Sequence, residues 1–144
     1  MIDRDELLER FAAFPARLAE ATRAGLERPV SSGEWTPAQV VSHLIAVEEV
    51  VWRRRLRDLE TTEDPRWSRT EPGLATGLDD ATLDEVVATF RAARAATVEV
   101  VLALGDDEWA RAGVHETYGR LDIAGLLRIA NEHDAEHLGS LAAD

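Results

Sequence analysis

The chain contains no cysteine. That one absence excludes disulfides, thiolate nucleophiles and cysteine-built zinc sites together, so any metal must be held by histidine and carboxylate. Lysine is absent as well, all 16 cations being arginine, a bias with no mechanistic implication. Basic charge is scarce overall: 28 acidic residues leave a net charge of −12, which argues against a broad nucleic-acid surface, since phosphate binding draws most of its affinity from cations. No apolar run approaches the roughly 18 residues that span a membrane. The opening Met1-Ile2-Asp3-Arg4-Asp5 is charged from its third residue and lacks the apolar stretch of a signal peptide, so a cytoplasmic location is expected. No stretch alternates apolar and polar residues long enough to suggest a sheet, no repeat is present, and no serine sits in a recognisable nucleophile motif.

What remains is a helical pattern. The 144 residues, 45% of them hydrophobic, fit a single domain spanning residues 1–144 that buries roughly two-thirds of its unfolded surface. The periodicity predicts an all-α four-helix bundle. The first helix is expected from Asp3 to Ala24, with Leu7, Leu8, Phe11, Phe14, Leu18 and Ala21 as its apolar stripe, Pro15 as a kink or break, and Gly25 as its stop. The second has the clearest start. Thr36 as N-cap, Pro37 at N1 and Gln39 at N3 form a capping box, Trp35 and Val40 add a staple, and Val40, His43, Val47 and Val50 share a face on the way to about Glu60. Trp35 and Trp109 are assigned to packing.

Residues 61 to about 81 are polar and rich in proline and glycine, unusually long for a link between packed helices, and can cross the molecule to set the third helix parallel to the second. That third helix starts at Thr82 with Glu85 in a second capping box, carries Leu83, Val86, Val87, Phe90, Val98, Val101 and Leu102, and ends at Gly105. A short helical piece surrounds Trp109. The last helix follows Asp122 as N-cap and aligns Leu126, Ala130, His133, His137 and Leu141.

Three of the four histidines therefore lie on apolar seams: His43 early in the second helix, His133 and His137 one turn apart in the last. A pair at i and i+4 brings two imidazoles within reach of one ion, and a third from a facing helix completes a three-nitrogen set with an open position for water or substrate. A lone histidine on such a stripe is more often a hydrogen-bonded core residue, but three in one small core favour a metal. The triad requires the second and last helices to run antiparallel, which gives an up-down-down-up bundle with a long crossover between helices 2 and 3. Glu48, Asp134 and Glu136 are candidate partners behind the ligands. His115, expected in a surface loop, and Tyr118 are candidate substrate contacts or proton donors at the pocket mouth. Arg53-Arg54-Arg55-x-Arg57 reads as a solvated face pairing with Glu48, Glu49 and Asp58, with an anion or partner site as the alternative.

Two stretches carry a family resemblance. Glu34-Trp35-Thr36-Pro37-Ala38-Gln39-Val40-Val41-Ser42-His43-Leu44 resembles the opening of the second helix in the DinB/YfiT-like superfamily, and Asn131-Glu132-His133-Asp134-Ala135-Glu136-His137-Leu138 resembles its closing helix. The approach through Trp109, Gly113, His115 and Gly119 is similar too. The resemblance implies a four-helix bundle, a divalent metal, often nickel or zinc, on a histidine triad that maps to His43, His133 and His137, and frequent homodimers. Relatives include bacillithiol- or mycothiol-dependent thiol S-transferases, mycothiol-dependent maleylpyruvate isomerases and metal-dependent hydrolases. DNA binding is not implied. The expectation is thus a small metalloenzyme that activates a thiol or water on a small-molecule substrate. Its rivals are a bundle that binds metal or a small molecule without turnover, in a stress-related or interaction role, and a metal-free bundle; a fourth protein ligand such as Glu48 would mark the first of these.

Overall fold

The computed structural model describes residues 3–24 and 35–142. Helix α1 spans Arg4–Ala24, α2 Pro37–Val47, α3 Arg53–Thr61, α4 Leu83–Leu102, the short α5 Asp106–Trp109, and α6 Ile123–Ala142. The expected stop at Gly25 lies outside the described residues. Pro15 stays inside α1 without splitting it. Both capping boxes form: Thr36 Oγ1 accepts from the Gln39 amide at 3.2 Å and Thr82 Oγ1 from the Glu85 amide at 3.2 Å, each with the reciprocal side-chain bond. Asp122 caps α6 by accepting from the Gly125 amide at 2.8 Å.

Two core layers fix the direction of every long helix. One gathers Leu7 and Phe11 of α1, Leu56 and Leu59 of α3, Val101 of α4, and Ile123 and Leu126 of α6. The other gathers Phe14 and Leu18, Val40 and Val41, Val86 and Phe90, and Leu141. Hence α1 and α6 run one way, α2 and α4 the other. This is the up-down-down-up order, with the segment between α3 and α4 returning the chain across the bundle.

Between α2 and α3 the helix widens into a π segment, Glu48–Trp52, so that α2, the π segment and α3 form one continuous rod. The extra residue per turn rotates the buried stripe. Val50, expected on the seam, is 46% exposed, while Val51 and Trp52 are buried. In α4, Leu102 is likewise turned out at 66% exposure, and the stripe is completed by Arg94 and Thr97. The helix ends at Leu102, and Gly105, expected as its stop, caps α5 instead.

A small sheet corrects the all-helical reading. Strand β1 (Arg66–Trp67) pairs in parallel with β2 (Ala112–His115), which pairs antiparallel with β3 (Gly119–Asp122). Two glycines make it fit. A Cβ on Gly113 would meet the Trp67 ring at 2.6 Å, and Gly119 closes the hairpin with a φ of +76°. The sheet pins the long crossover against the segment before α6, and it places His115 at a strand end.

At the centre of the bundle sits a buried ion cluster. Arg94 Nε donates to Glu48 Oε1 at 2.9 Å, and its two terminal nitrogens donate to Asp134 at 2.9 and 3.0 Å. Its guanidinium lies 3.8 Å from the Phe11 ring centre. Burial disfavours its charge, but the two carboxylates outweigh that and raise its pKa. Glu48 and Asp134 are therefore committed to Arg94 and do not orient the histidines.

Candidate metal centre

The three seam histidines converge. His43 comes from the second turn of α2, His133 and His137 from adjacent turns of α6, and one ring nitrogen of each lies within 4.8 Å of the others. The antiparallel run of α2 and α6 makes this meeting geometrically available. Among the described residues no cysteine or carboxylate joins them as a fourth ligand.

Of the three rings, that of His43 has a partner that fixes its tautomer, while His133 Nδ1 is buried without a hydrogen-bond partner among the described residues. His43 Nδ1 stands 3.1 Å from the carbonyl oxygen of Gly73, which can only accept, so Nδ1 carries the proton and Nε2 keeps its lone pair. His133 Nε2 and His137 Nε2 are 3.2 Å apart. Two nitrogens bound to one tetrahedral ion at about 2.0–2.1 Å each would stand about 3.3–3.4 Å apart, so the pair already has the spacing a shared ion needs. Burial, with His43 and Arg94 adding to it, lowers the His133 pKa to about 4, and burial with His133 and His137's other neighbour His43 lowers that of His137 to about 4. Both rings are neutral at pH 7, the state in which imidazole ligates. Two neutral rings facing through the same nitrogen satisfy one another only if one is protonated there, whereas a cation satisfies both. The residues fit a divalent ion.

Supporting contacts come from elements that the helical pattern alone does not reveal. Trp35 lies 4.8 Å, ring to ring, from His43 and is 36% exposed, so it walls the site rather than packing in the core. The Trp52 ring lies 5.9 Å from that of His133, in edge-on orientation. Trp35, Trp52 and the three histidines all line one cavity of about 770 Å³.

The DinB superfamily model matches residues 4–141. The chain belongs to the DinB superfamily. Its fold is shared by YfiT from Bacillus subtilis, described as a probable metal-dependent hydrolase with an unusual four-helix bundle topology, at 19% identity and a TM-score of 0.74, covering 98% of this chain and 86% of that one. It is also shared by TT2238, a four-helix bundle protein, at 32% identity and a TM-score of 0.67, covering 97% and 98%. No curated protein matches the chain.

In this DinB-superfamily chain the remaining candidates divide. His115 is buried at 3% exposure, contrary to the surface-loop expectation, and it lines the cavity together with the half-exposed Tyr118, their rings 4.8 Å apart. Glu136 also lines the cavity, beside His137. The arginine run is not a uniform solvated face: Arg53 donates to the Ala93 carbonyl at 2.6 Å, and Arg55 is buried in the cavity wall. Gly73 was invisible in the sequence because its contribution is a backbone carbonyl. Arg55 could have been found only from its place three residues beyond Trp52, on the side that faces His133.

Proposed function

We propose that the chain is a metal-dependent enzyme in which His43, His133 and His137 hold a divalent ion, nickel or zinc, beside the cavity where a small-molecule substrate binds. The observation that carries this reading is the convergence of three imidazole nitrogens within 4.8 Å in residues that line a cavity of about 770 Å³. A divalent ion there supplies Lewis acidity that brings the pKa of a coordinated water or thiol toward neutrality. The chain's own residues do the rest. The Gly73 carbonyl fixes the ring of His43, burial keeps His133 and His137 deprotonated, and Trp35 and Trp52 wall the site.

Among the described residues the cavity holds no cysteine, and its one serine, Ser140, has no base bonded to it, so in this reading the attacking group comes from solution. Water gives a hydrolase, which the likeness to YfiT supports; a low-molecular-weight thiol such as bacillithiol or mycothiol gives an S-transferase, which the motif resemblance supports. The alternative of a closed, non-catalytic binding bundle in a stress-related or interaction role loses its structural mark, since Glu48 bonds to Arg94 rather than completing the triad. A homodimer in the cytoplasm belongs to the same proposal; among the described residues no helix is long and apolar enough to cross a membrane.

Elemental analysis of the purified protein, native and metal-loaded, beside His133→Ala and His137→Ala tests the reading. One ion per chain, lost in both variants, is expected. No metal in any wild-type sample overturns it.

A further inference from the structure

Arg55 is an unusual cation. It is 6% exposed, its guanidinium lies between the Trp52 and Trp67 rings at 5.8 and 5.7 Å, and its one hydrogen bond runs from Nη2 to the Ser68 carbonyl at 3.3 Å. Among the described residues no carboxylate forms an ion pair with it, although a buried guanidinium ordinarily requires one. The other arginine of the cavity wall is already paired, Arg69 holding Glu71 at 2.6 and 3.0 Å. Desolvation pulls the Arg55 pKa below its ordinary value, against the smaller opposing effects of Tyr118 and of Asp58, which lies near without forming an ion pair.

Beside it stands a second donor of fixed direction. His115 Nδ1 accepts from the backbone amides of Thr117 at 3.0 Å and Tyr118 at 3.3 Å, so the proton of the neutral ring sits on Nε2. Burial, and then the charge of Arg55, lowers the His115 pKa and keeps that ring neutral, with Nε2–H as donor. Tyr118 belongs to the same wall, its ring 4.8 Å from that of His115. This part of the cavity thus presents a guanidinium, an imidazole N–H and a phenol, while the triad occupies another part. Trp52 separates the two, its ring 5.9 Å from that of His133 and 5.8 Å from the Arg55 guanidinium carbon.

We propose that Arg55, His115 and Tyr118 form a subsite for the carboxylate of an acidic small-molecule substrate, anchoring one end of it while the other reaches the histidine triad. The proposal deepens the metalloenzyme reading and rests on it for the word substrate. One guanidinium and two neutral donors match a single negative charge. In the metal-free protein a phosphate dianion would meet Glu71, Glu132 and Glu136 on the same cavity with Arg55 as the one unpaired cation among the described lining residues.

The test is titration of the full chain, metal-free and zinc-loaded, with benzoate, benzamide and inorganic phosphate, followed by tryptophan fluorescence and calorimetry. Benzoate is expected to bind both forms through Arg55, and benzamide to bind neither. Arg55→Gln should weaken benzoate at least about tenfold, the loss of a charge-assisted hydrogen bond, with zinc stoichiometry unchanged. Arg55→Lys keeps the charge and the buried stem but not the fork, and should weaken it about threefold or more; it decides the matter if Arg55→Gln does not fold. Arg69→Gln should leave benzoate binding as it is. Equal benzoate affinity in wild type and both Arg55 variants overturns the subsite, as does benzamide binding as tightly as benzoate. Phosphate binding more tightly than benzoate overturns the carboxylate assignment. Wild type that binds benzoate but never zinc overturns the metalloenzyme reading while leaving the anion subsite in place.

Discussion

Arg94 completes the helix that Pro15 interrupts. A proline has no amide hydrogen to give the carbonyl four residues back, here that of Phe11, and Arg94 Nη1 donates to that oxygen at 2.8 Å. The same guanidinium neutralises Glu48 and Asp134, so one side chain from α4 ties α1, the π segment and α6 together. The carbonyl of a buried helix turn is thus satisfied from outside its own helix, and α1 passes through Pro15 unsplit.

Removing Arg94 therefore leaves two carboxylates and a carbonyl in an apolar core. Arg94→Met should cost about 3–5 kcal/mol in urea unfolding. Pro15→Ala restores an amide to Phe11, so the Arg94→Met penalty measured in the Pro15→Ala background should shrink by about 1 kcal/mol. An additive cycle would show that the Phe11 carbonyl does not depend on Arg94.

The parts of this fold legible in the sequence are those that use regular spacing. Thr36-Pro37-Gln39 and Thr82-Glu85 announce their helix starts because capping needs those side chains at those positions. His133 and His137 announce their pairing because i and i+4 share a helical face, and the triad itself dictated the antiparallel run of α2 and α6. What escaped notice departs from a period. Four-residue strands joined to a two-residue partner show no alternation to count, so the sheet and the burial of His115 were hidden. Arg94 was hidden because a charged residue on an apolar stripe reads as an interruption until its partners, 46 and 40 residues away, are placed beside it. Arg55 was masked by a run of arginines whose other members face different surroundings.

The π segment makes its own prediction. An unbroken α-helix would carry Val50 on the seam with His43 and Val47, whereas the wider turn exposes it and buries Trp52 against His133. Val50→Ala should change stability by less than about 0.5 kcal/mol, and Trp52→Ala should cost about 3–5 kcal/mol. The reverse order, read by thermal or urea unfolding, would mean that the rod is α-helical throughout.

Acid should destabilise the metal-free protein through His133 and His137. His133 and His137 have pKa values near 4 in the fold against an ordinary 6.5, so between those values the unfolded chain binds more protons and stability falls as pH falls. Asp134 acts oppositely. Burial raises it to about 6 against the pull of Arg94, so the folded chain binds its proton first and gains stability as pH falls through that window toward 3.8. Two histidines outweigh one aspartate, and the melting temperature of the metal-free protein should decline from pH 6.5 to 5. In the double variant His133→Leu/His137→Leu the opposed Asp134 and His115 remain, and the decline over the same interval should be largely lost. A slope unchanged by the double substitution would place the acid sensitivity elsewhere.

The long crossover meets the candidate metal centre through two adjacent bonds, and one of them can be cut without touching the three histidines. Gly73 accepts from His43, while two residues on the Ala75 amide donates to Ser42 Oγ at 3.0 Å, next to His43 on the same helix. Ser42→Ala removes the second bond and leaves, among the described residues, the His43 imidazole as the one hydrogen bond between the 73–75 segment and the helix, beside the packing of Ala75. Groups that orient metal-bound histidines change affinity by about 10–100-fold when removed. Because Ser42 acts one bond further out, the expected loss is near the lower figure: about tenfold weaker zinc binding in a competition titration, with one ion still bound per chain at saturation. Unchanged affinity would show that Gly73 holds its place against His43 without help from the Ser42 bond.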